Sequence, residues 1–343
     1  MRTLWPRLRV LTGAGILAVL AWRLGTGAFV DGLRMIDGES VLAALGIGLL
    51  TTVLSAWRWC IVARGLGLRL PLPTAVADYY RALLVNAVLP TGVLGDVHRA
   101  VSHGRHIGDV GRGVRAVVLE RVAGQVVLMV VGLTVLLTQP ALVSAVAHDL
   151  LPSRAIVFAA LSVLVVLGVL AVIIAPAGWA RWGRGTSKWR RALAMALADA
   201  RRGLLARDTW PGVVLLSAAA LLGHVVLFLV AARIAGSPAP IARLVPLTVL
   251  ALLVMGLPVN VGGWGPREAI SALAFGAAGL GAAQGLTAAV VYGVLTLVAS
   301  LPGAGVLVLR RSSRRAQPPQ AVARKKDRAS YVVEPLRVEK VTR

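Results

Sequence analysis

The sequence predicts an all-α polytopic membrane protein, a bundle of about six spanning helices and two re-entrant hairpins arranged as inverted repeats. Hydrophobic residues make up 57% of the 343 residues, the mean hydropathy is +0.79, and charged residues make up only 15%. Soluble domains carry nearer 25% charged residues. Several nearly uncharged windows reach the roughly 20 residues that a helix needs to cross a bilayer core. An alternative topology makes both hairpins full spans and gives eight spanning helices.

The net charge of +23 does not indicate a nucleic-acid partner. The Lys and Arg residues lie between apolar segments and are dense or scarce on alternate sides, as the positive-inside rule predicts. We therefore expect a multi-pass protein of the cell membrane with both termini in the cytoplasm. A basic surface for anionic lipid headgroups fits the same pattern. The one cysteine, Cys60, lies in an apolar span, so disulfides and cysteine-based metal sites are excluded.

Six segments are predicted to span the membrane. They lie at about residues 10–22, 40–62, 113–138, 155–176, from 211 onward, and 286–309. The two half-repeats cover about residues 8–138 and 154–309, within a membrane domain of residues 1–311. Residues 312–343 form a basic, polar tail that we expect to be disordered in the cytoplasm.

Two related broken segments organise the chain. Residues 89–99 read LPTGVLGDVHR and residues 257–267 read LPVNVGGWGPR, so both contain Leu, Pro, Val, Gly and a closing Arg at matching positions. In each copy Pro and Gly interrupt an apolar segment. Broken backbone and charge at bilayer depth are tolerated only inside the protein or along a water-lined cavity. Paired breaks in the two halves of a chain indicate a transport-type site between repeats.

The surroundings of each break predict a hairpin that leaves and re-enters on the same side of the membrane. The first has basic residues on both flanks, and its uninterrupted apolar run is too short to span comfortably. We therefore expect the first hairpin to be re-entrant from the cytoplasm. The second lies between two spans whose facing ends are outside, so we expect it to be re-entrant from the outer side.

The candidate binding residues are polar or glycine residues in or beside these breaks. An ionised group at a helix centre costs about 2.5–3.5 kcal/mol on insertion scales, so these charges need pairing or water. Adjacent helical residues point in different directions, so we expect Arg267 and Glu268 to find separate partners. The glycines allow tight turns whose N–H groups can cradle an anion. The candidates are Arg58, Arg81, Asn86, Gly92, Gly95, Asp96, Arg99, Glu120, Arg121, Asn260, Gly262, Gly263, Arg267 and Glu268.

A purely structural interpretation of these residues stays open. The ion pairs then only hold the hairpins in place, the glycines only bend a helix, and the asparagines only satisfy broken backbone. The functional interpretation is a polar groove for a charged headgroup, in which the arginines attract a phosphate.

Catalytic motifs are weak, and we predict no catalytic residue, metal site or cofactor. No Walker A, dinucleotide or nucleophile-elbow motif occurs in a suitable context, so we do not expect ATP hydrolysis. His98, His103 and His106 lie in a predicted cytoplasmic segment and are attributed to a basic, solvated surface. Asp37 and Glu39 resemble the acidic metal pair of membrane glycosyltransferases that use lipid-linked sugars, which is a weak signal.

Taken together, the motifs resemble the lysylphosphatidylglycerol synthase transmembrane-region family, also described as flippase-like integral membrane proteins. The resemblance covers about residues 5–310. Leu94 departs from the family, which commonly has a second glycine before Gly95. The motifs that carry it are Arg58-Trp59 at the end of the second span, residues 86–99, Glu120-Arg121 with Gly124, and residues 262–268.

The resemblance implies a membrane domain that moves aminoacylated phospholipids between leaflets or accompanies lipid-linked glycan pathways. In bifunctional members a soluble synthase domain follows, whereas this sequence ends soon after the last span, so we expect no aminoacyltransferase activity. The expected ligand is a membrane phospholipid or a polyprenyl-linked lipid. Expected protein partners are a separate synthase or glycosyltransferase, or further copies of the chain.

Two alternatives to a lipid translocase stay open. The first is a membrane glycosyltransferase that depends on a polyprenyl-phosphate donor and requires Asp37 and Glu39. The second is a non-transporting subunit of a lipid or glycan synthesis enzyme, which docks its partner through the basic surface at residues 181–207.

Overall fold

The computed structural model describes residues 27–89, 93–142, 144, 146, 198–256 and 264–315. These residues are predominantly helical, which confirms the predicted fold class. The principal helices are α1 (Gly27–Arg34), α2 (Gly38–Gly65), α3 (Leu72–Val88), α4 (Leu94–His106), α5 (Val110–Leu137), α6 (Trp210–Ile234), α7 (Ile241–Met255), α8 (Pro266–Ala277), α9 (Ala282–Ser300) and α10 (Pro302–Arg315). Residues 198–204 are also helical.

Within the described residues, four helical segments are long and apolar enough to cross a membrane. They are Gly38–Gly65, Val110–Leu137, Trp210–Ile234 and Ala282–Leu309, the last of which joins α9 to α10. They correspond to the second, third, fifth and sixth predicted spans. The spans predicted at residues 10–22 and 155–176 lie outside the described residues. Helix α10 continues to Arg315, beyond residue 311, where the membrane domain was predicted to end.

Local sequence signals set several helix starts. Asp37 caps α2, where its Oδ1 accepts hydrogen bonds from the Ser40 N–H at 2.9 Å and the Ser40 hydroxyl at 2.6 Å. Asp109 caps α5 by accepting a bond from the Arg112 N–H at 2.8 Å. A side-chain acceptor at this position satisfies one of the unpaired N–H groups of the first turn. Proline stands in the first turn of α3, α6 and α8, where its missing N–H removes no hydrogen bond from the helix.

Helices α3 and α4 form an antiparallel hairpin around the first break. The side chain of Asn86 accepts a hydrogen bond from the Gly95 N–H at 2.8 Å, which joins the end of α3 to the start of α4. A Cβ atom at Gly95 would overlap the backbone of Ala82, so only glycine permits this approach.

Helices α7 and α8 form the second hairpin. Arg243, near the start of α7, donates a hydrogen bond from Nη2 to the Ala278 carbonyl, just beyond the end of α8, at 2.9 Å. The four hairpin helices have 12 to 17 residues. At 1.5 Å per residue they rise about 18–26 Å, less than the roughly 30 Å of a bilayer core. These lengths favour two folded-back hairpins over eight full spans.

Small residues bring the central helices close together. A Cβ atom at Gly48 of α2 would overlap Ala299 of α9, and one at Gly223 of α6 would overlap Thr51 of α2. Helices in lipid commonly associate through such small residues, because these let backbones pack closely. The largest apolar core lies beside this contact, on α6 to α9, and includes Phe228, Leu244, Leu247, Phe275, Tyr292 and Leu295.

The order of elements repeats along the chain. A long helix, a short helix, a break, a short helix and a long helix follow one another from α2 to α5, and again from α6 to α9. The division into half-repeats at about residues 8–138 and 154–309 stays a prediction. The inverted orientation of the second half stays a prediction.

Candidate functional site

A buried group of charges joins the first hairpin to α2 and α5. We call it the Glu120 cluster. The Glu120 side chain is fully buried and accepts hydrogen bonds from Tyr79 Oη at 3.0 Å, Arg58 Nε at 3.0 Å and Arg99 Nη2 at 2.6 Å. It also pairs with Arg58 Nη2. Donors from α2, α3 and α4 therefore compensate one carboxylate on α5. The cluster comprises Arg58, Tyr79, Asn86, Asp96, Arg99, Glu120 and Arg121.

Asp96 is the second carboxylate of this cluster. It lies in the first turn of α4, where the helix dipole favours a negative charge. Its Oδ1 accepts hydrogen bonds from Arg99 Nε at 2.8 Å and Arg121 Nη2 at 2.7 Å. Its Oδ2 accepts one from Asn86 Nδ2 at 3.0 Å. Asp96 thereby ties both helices of the first hairpin to α5.

Exposure changes across the Glu120 cluster. The side chains of Arg99 and Glu120 are 0% exposed, that of Asp96 is 16% exposed, and that of Arg121 is 43% exposed. The cluster therefore has a buried end at Glu120 and an accessible end at the Arg121–Asp96 pair. A ligand that approaches from outside the protein meets Arg121 first.

The Arg99 guanidinium is fixed by carboxylates and by aromatic rings. Its carbon lies 4.3 Å from the centre of the Tyr79 ring and 4.7 Å from that of Trp59. Cations are attracted to aromatic ring faces at such distances. Its Nε and Nη2 bind carboxylates, whereas its Nη1 is buried and has no hydrogen-bond partner in the described part of the chain.

The Glu120 cluster carries an excess of one positive charge, because three guanidinium groups face two carboxylates. An uncompensated charge in apolar surroundings is costly, so this arrangement favours an anionic ligand.

Arg58 also donates a hydrogen bond from Nη1 to the Ser217 hydroxyl of α6 at 3.0 Å, which links the two halves of the chain. A Cβ atom at Gly124 would lie only 3.0 Å from that same nitrogen, so glycine makes room for the guanidinium.

A second group of polar side chains surrounds the start of α8. Arg267 donates from Nε to Glu268 Oε1 at 3.0 Å, and Nη2 pairs with the same oxygen. The expectation that these neighbours find separate partners is therefore wrong. Both stand in the first turn of α8, where Glu268 folds back to accept the Gly265 N–H at 2.6 Å, and the long Arg267 side chain reaches over it.

Arg267 also lies between two aromatic rings. Its guanidinium carbon is 5.2 Å from the centre of the Trp264 ring and 5.1 Å from that of Tyr292. The Tyr292 hydroxyl lies 3.2 Å from Nδ1 of His224 on α6. We call Arg267, Glu268, Trp264, Tyr292 and His224 the Arg267 cluster. Arg99 and Arg267 close the two copies of the broken motif, and each is buried, ring-stacked and bonded to a carboxylate.

The two clusters are linked through residues of α5 and α6. Gln125, one turn after Arg121 on α5, packs against Gly256, where α7 ends and the second break begins. Ser217 and His224 both stand on α6, and contact Arg58 and Tyr292 respectively. Helices α5 and α6 therefore connect the first hairpin to the second.

Most predicted site residues that the structure describes belong to one of these clusters. Arg58, Asn86, Gly95, Asp96, Arg99, Glu120 and Arg121 come together around the first hairpin, and Arg267 and Glu268 around the second. Arg81 pairs with Asp78 at 3.2 Å. The remaining candidates, Gly92, Asn260, Gly262 and Gly263, lie outside the described residues.

Sequence reasoning missed several side chains of these clusters. Tyr79 and Ser217 bind charged members of the Glu120 cluster, and Trp59 stacks on Arg99. His224 and Tyr292 belong to the Arg267 cluster. Single hydroxyls and rings within apolar helices carry little signal, although the Tyr79-Tyr80 pair directly before Arg81 is unusual enough to have drawn attention.

Three other residues noted in the sequence have identifiable positions. Asp37 caps α2, and its hydrogen bonds to the Ser40 side chain and backbone hold the pKa of its carboxyl below the usual range. His103 was attributed to a solvated surface, and this is wrong, because its side chain is buried against Trp59. Cys60 is buried among apolar residues of α2 and α3.

A family model described as "Lysylphosphatidylglycerol synthase TM region" matches residues 7–303, which is most of the chain. Comparison with curated proteins gives no match. Together with the four apolar spans, the family match shows an integral, multi-pass membrane protein.

Proposed function

We propose that this protein, which belongs to the lysylphosphatidylglycerol synthase transmembrane-region family, binds an anionic lipid headgroup at the Glu120 cluster and moves it between leaflets. The observation that carries the proposal is the excess positive charge of this cluster beside a broken helix. Arg121, the most accessible of its three arginines, stands at the open end. A guanidinium fork matches the oxygens of a phosphate and binds them more firmly than a neutral donor would.

Asp96 is a partner of Arg121 that a lipid phosphate can replace. In the structure its carboxylate accepts a hydrogen bond from Nη2 of Arg121, the most exposed arginine of the cluster. A phosphate that takes this donor releases Asp96 from α5, although Asn86 and Arg99 still hold it on the hairpin. Headgroup binding then frees the accessible edge of the first hairpin from α5, while Tyr79 and Arg99 keep its buried side bonded to Glu120.

The acyl chains of the lipid would stay in the bilayer while the headgroup passes between the hairpins. The buried arginines supply the attraction, and the carboxylates keep their charge compensated when no lipid is bound. Glu120 holds Arg58 and Arg99 in place from the buried side. Binding and release of a headgroup by these residues require no covalent step, so we propose translocation rather than catalysis.

Leaflet exchange in proteoliposomes tests this proposal. Fluorescent phosphatidylglycerol, aminoacylated phosphatidylglycerol and an uncharged diacylglycerol would be compared, with the intact protein and with Arg121→Gln. Arg112→Gln is the matched control, because Arg112 is on the same helix, is 45% exposed, and pairs with Asp109 at 3.4 Å outside the cluster. We expect exchange of the anionic or aminoacylated lipid, its loss in Arg121→Gln, and its retention in Arg112→Gln.

Two results would overturn the proposal. If folded wild-type protein exchanges none of the lipids, translocation by this chain alone is wrong, and a subunit that docks an enzyme becomes the better hypothesis. If Arg112→Gln loses as much exchange as Arg121→Gln, general surface charge is responsible and the Glu120 cluster is not the site.

A further inference from the structure

Three nitrogen-bearing side chains pack against one another where α2 meets α4. They are Trp59, Arg99 and His103. The Arg99 guanidinium lies 4.7 Å from the Trp59 ring centre, and the Trp59 and His103 rings are 5.6 Å apart at an angle of 72°. Arg99 and His103 are four residues apart on α4, so they lie on one face of that helix.

Each of these side chains has a buried nitrogen without a hydrogen-bond partner in the described part of the chain. These nitrogens are Trp59 Nε1, Arg99 Nη1 and His103 Nε2. The residues are 0%, 0% and 7% exposed. Buried polar atoms are rarely left unpaired because their desolvation is then uncompensated, so three such nitrogens in contacting side chains indicate a bound acceptor.

The chemistry of these groups favours an anion over water. An indole N–H and a guanidinium N–H can donate but cannot accept, and His103 donates when its proton is on Nε2. Water in such a place would need acceptors for its two protons, and these groups offer at most one, His103 Nε2 with its proton on Nδ1. A small anion accepts from all three donors and has no proton to place.

The charge of the surroundings points the same way. Asp78 interacts electrostatically with His103, but it is paired with Arg81 at 3.2 Å. Asp96 and Glu120 already bind the other nitrogens of Arg99. With Arg58, Arg81 and Arg121 included, four guanidinium groups face three carboxylates. One monovalent anion bound here would balance the same excess charge that attracts a headgroup to Arg121, so the two anions would compete.

We propose that Trp59, Arg99 and His103 form a binding site for a small inorganic anion of the halide class. This site is separate from the accessible Arg121–Asp96 pair, and the proposal does not depend on lipid translocation. A bound anion would hold α4 against α2 and fix the position of Arg99 between its two carboxylates.

Thermal unfolding of the intact protein in phosphatidylcholine nanodiscs tests the site. Gluconate would be replaced stepwise by bromide at constant ionic strength, and the unfolding midpoint recorded. We expect a saturable rise in the midpoint, because an anion that binds only the folded protein stabilises it. Trp59→Phe keeps a ring beside Arg99 but removes the N–H, and should weaken the apparent bromide affinity roughly tenfold or more.

Trp57→Phe is the matched control, because Trp57 is on the same helix and 50% exposed, and it should keep the full bromide response. If Trp59→Phe does not fold, His103→Leu removes a donor nearer the end of α4 and should show the same loss. No rise with bromide would overturn the proposal in favour of bound water. A rise that both Trp59→Phe and His103→Leu retain would place the anion elsewhere and also overturn it. A rise with inorganic phosphate but not bromide would reject the halide class.

Discussion

Glu120→Gln tests whether the buried charges form one interdependent group. The change is almost isosteric, but it replaces a carboxylate oxygen by an amide that donates instead of accepting. In the wild type, Glu120 is 0% exposed and accepts bonds from Tyr79, Arg58 and Arg99. Glutamine would turn an N–H₂ group toward guanidinium donors and raise the excess positive charge of the cluster from one to two.

The expected loss of stability is large. Breaking a buried ion pair by removing one partner costs about 3–5 kcal/mol, because the other charge stays buried and uncompensated. Here two arginines lose their common partner, although Arg99 keeps Asp96 and Arg58 keeps Ser217. We therefore expect a loss of about 3 kcal/mol or more, against the roughly 5–15 kcal/mol that holds a typical protein folded.

Equilibrium unfolding in mixed micelles measures this loss. The control is Asp109→Asn, because Asp109 and Arg112 form an exposed pair, 43% and 45% accessible, and asparagine still caps α5. Exposed pairs contribute about 0–1 kcal/mol. Adding Arg58→Met to Glu120→Gln should cost less than Arg58→Met alone, since Arg58 has already lost its main partner. The reasoning is refuted if Glu120→Gln costs no more than the control.

Three further predictions concern single contacts. Asp96→Asn removes the carboxylate that competes for Arg121, so it should tighten binding of anionic lipid about tenfold, or ~1.4 kcal/mol, in nanodisc titrations; weaker binding would contradict this. Gly293→Ala places a Cβ 2.5 Å from Arg267 Nη2 and should destabilise by about 1–3 kcal/mol, whereas Gly46→Ala, with open space around it, should not. The folded-state pKa of Asp37 is lowered from its usual value of 3.8. Its capping contribution to folding stability is therefore fully present above about pH 3.8 and is lost as the pH falls through the lower folded-state pKa. The acid dependence of the thermal midpoint should therefore weaken in Asp37→Asn, with lipid exchange unchanged.

The long-range order of the fold could be predicted because its signals are local. Four of the described apolar segments match predicted spans, and the first predicted break falls between the described helices α3 and α4. Charges near the breaks identified Arg99, Glu120 and Arg121 as related residues. The free-energy cost of inserting charged side chains into a membrane requires that these groups have partners, but it does not identify the partners.

The identity of the partners could not be predicted, because it depends on how distant helices pack. Ser217 binds Arg58 across 159 residues of sequence, and Tyr79 binds Glu120 across 41. His103 looked solvated from its basic neighbours, but the face of α4 on which it stands packs against Trp59. Arg267 and Glu268 pair because the Glu268 side chain folds back over the start of its helix. The usual directions of side chains inside a helix do not predict this conformation of a first-turn glutamate.

The packing of the central helices indicates which part of the protein a headgroup can move. Rocking of whole halves would have to separate α2 from α6, whose backbones approach closely at Thr51 and Gly223 and whose side chains join at Arg58 and Ser217. Separating them would cost about 25 cal/mol for each Å² of apolar surface that becomes exposed to water. A bound anion makes no contact there that would compensate this cost. The accessible edge of the first hairpin is instead held to α5 by the Asp96–Arg121 contact, which a phosphate can replace with an equivalent one. The accessible edge of the first hairpin is therefore the part whose position an arriving anionic lipid can change at least cost, because Tyr79 and Arg99 still bind Glu120 on the buried side.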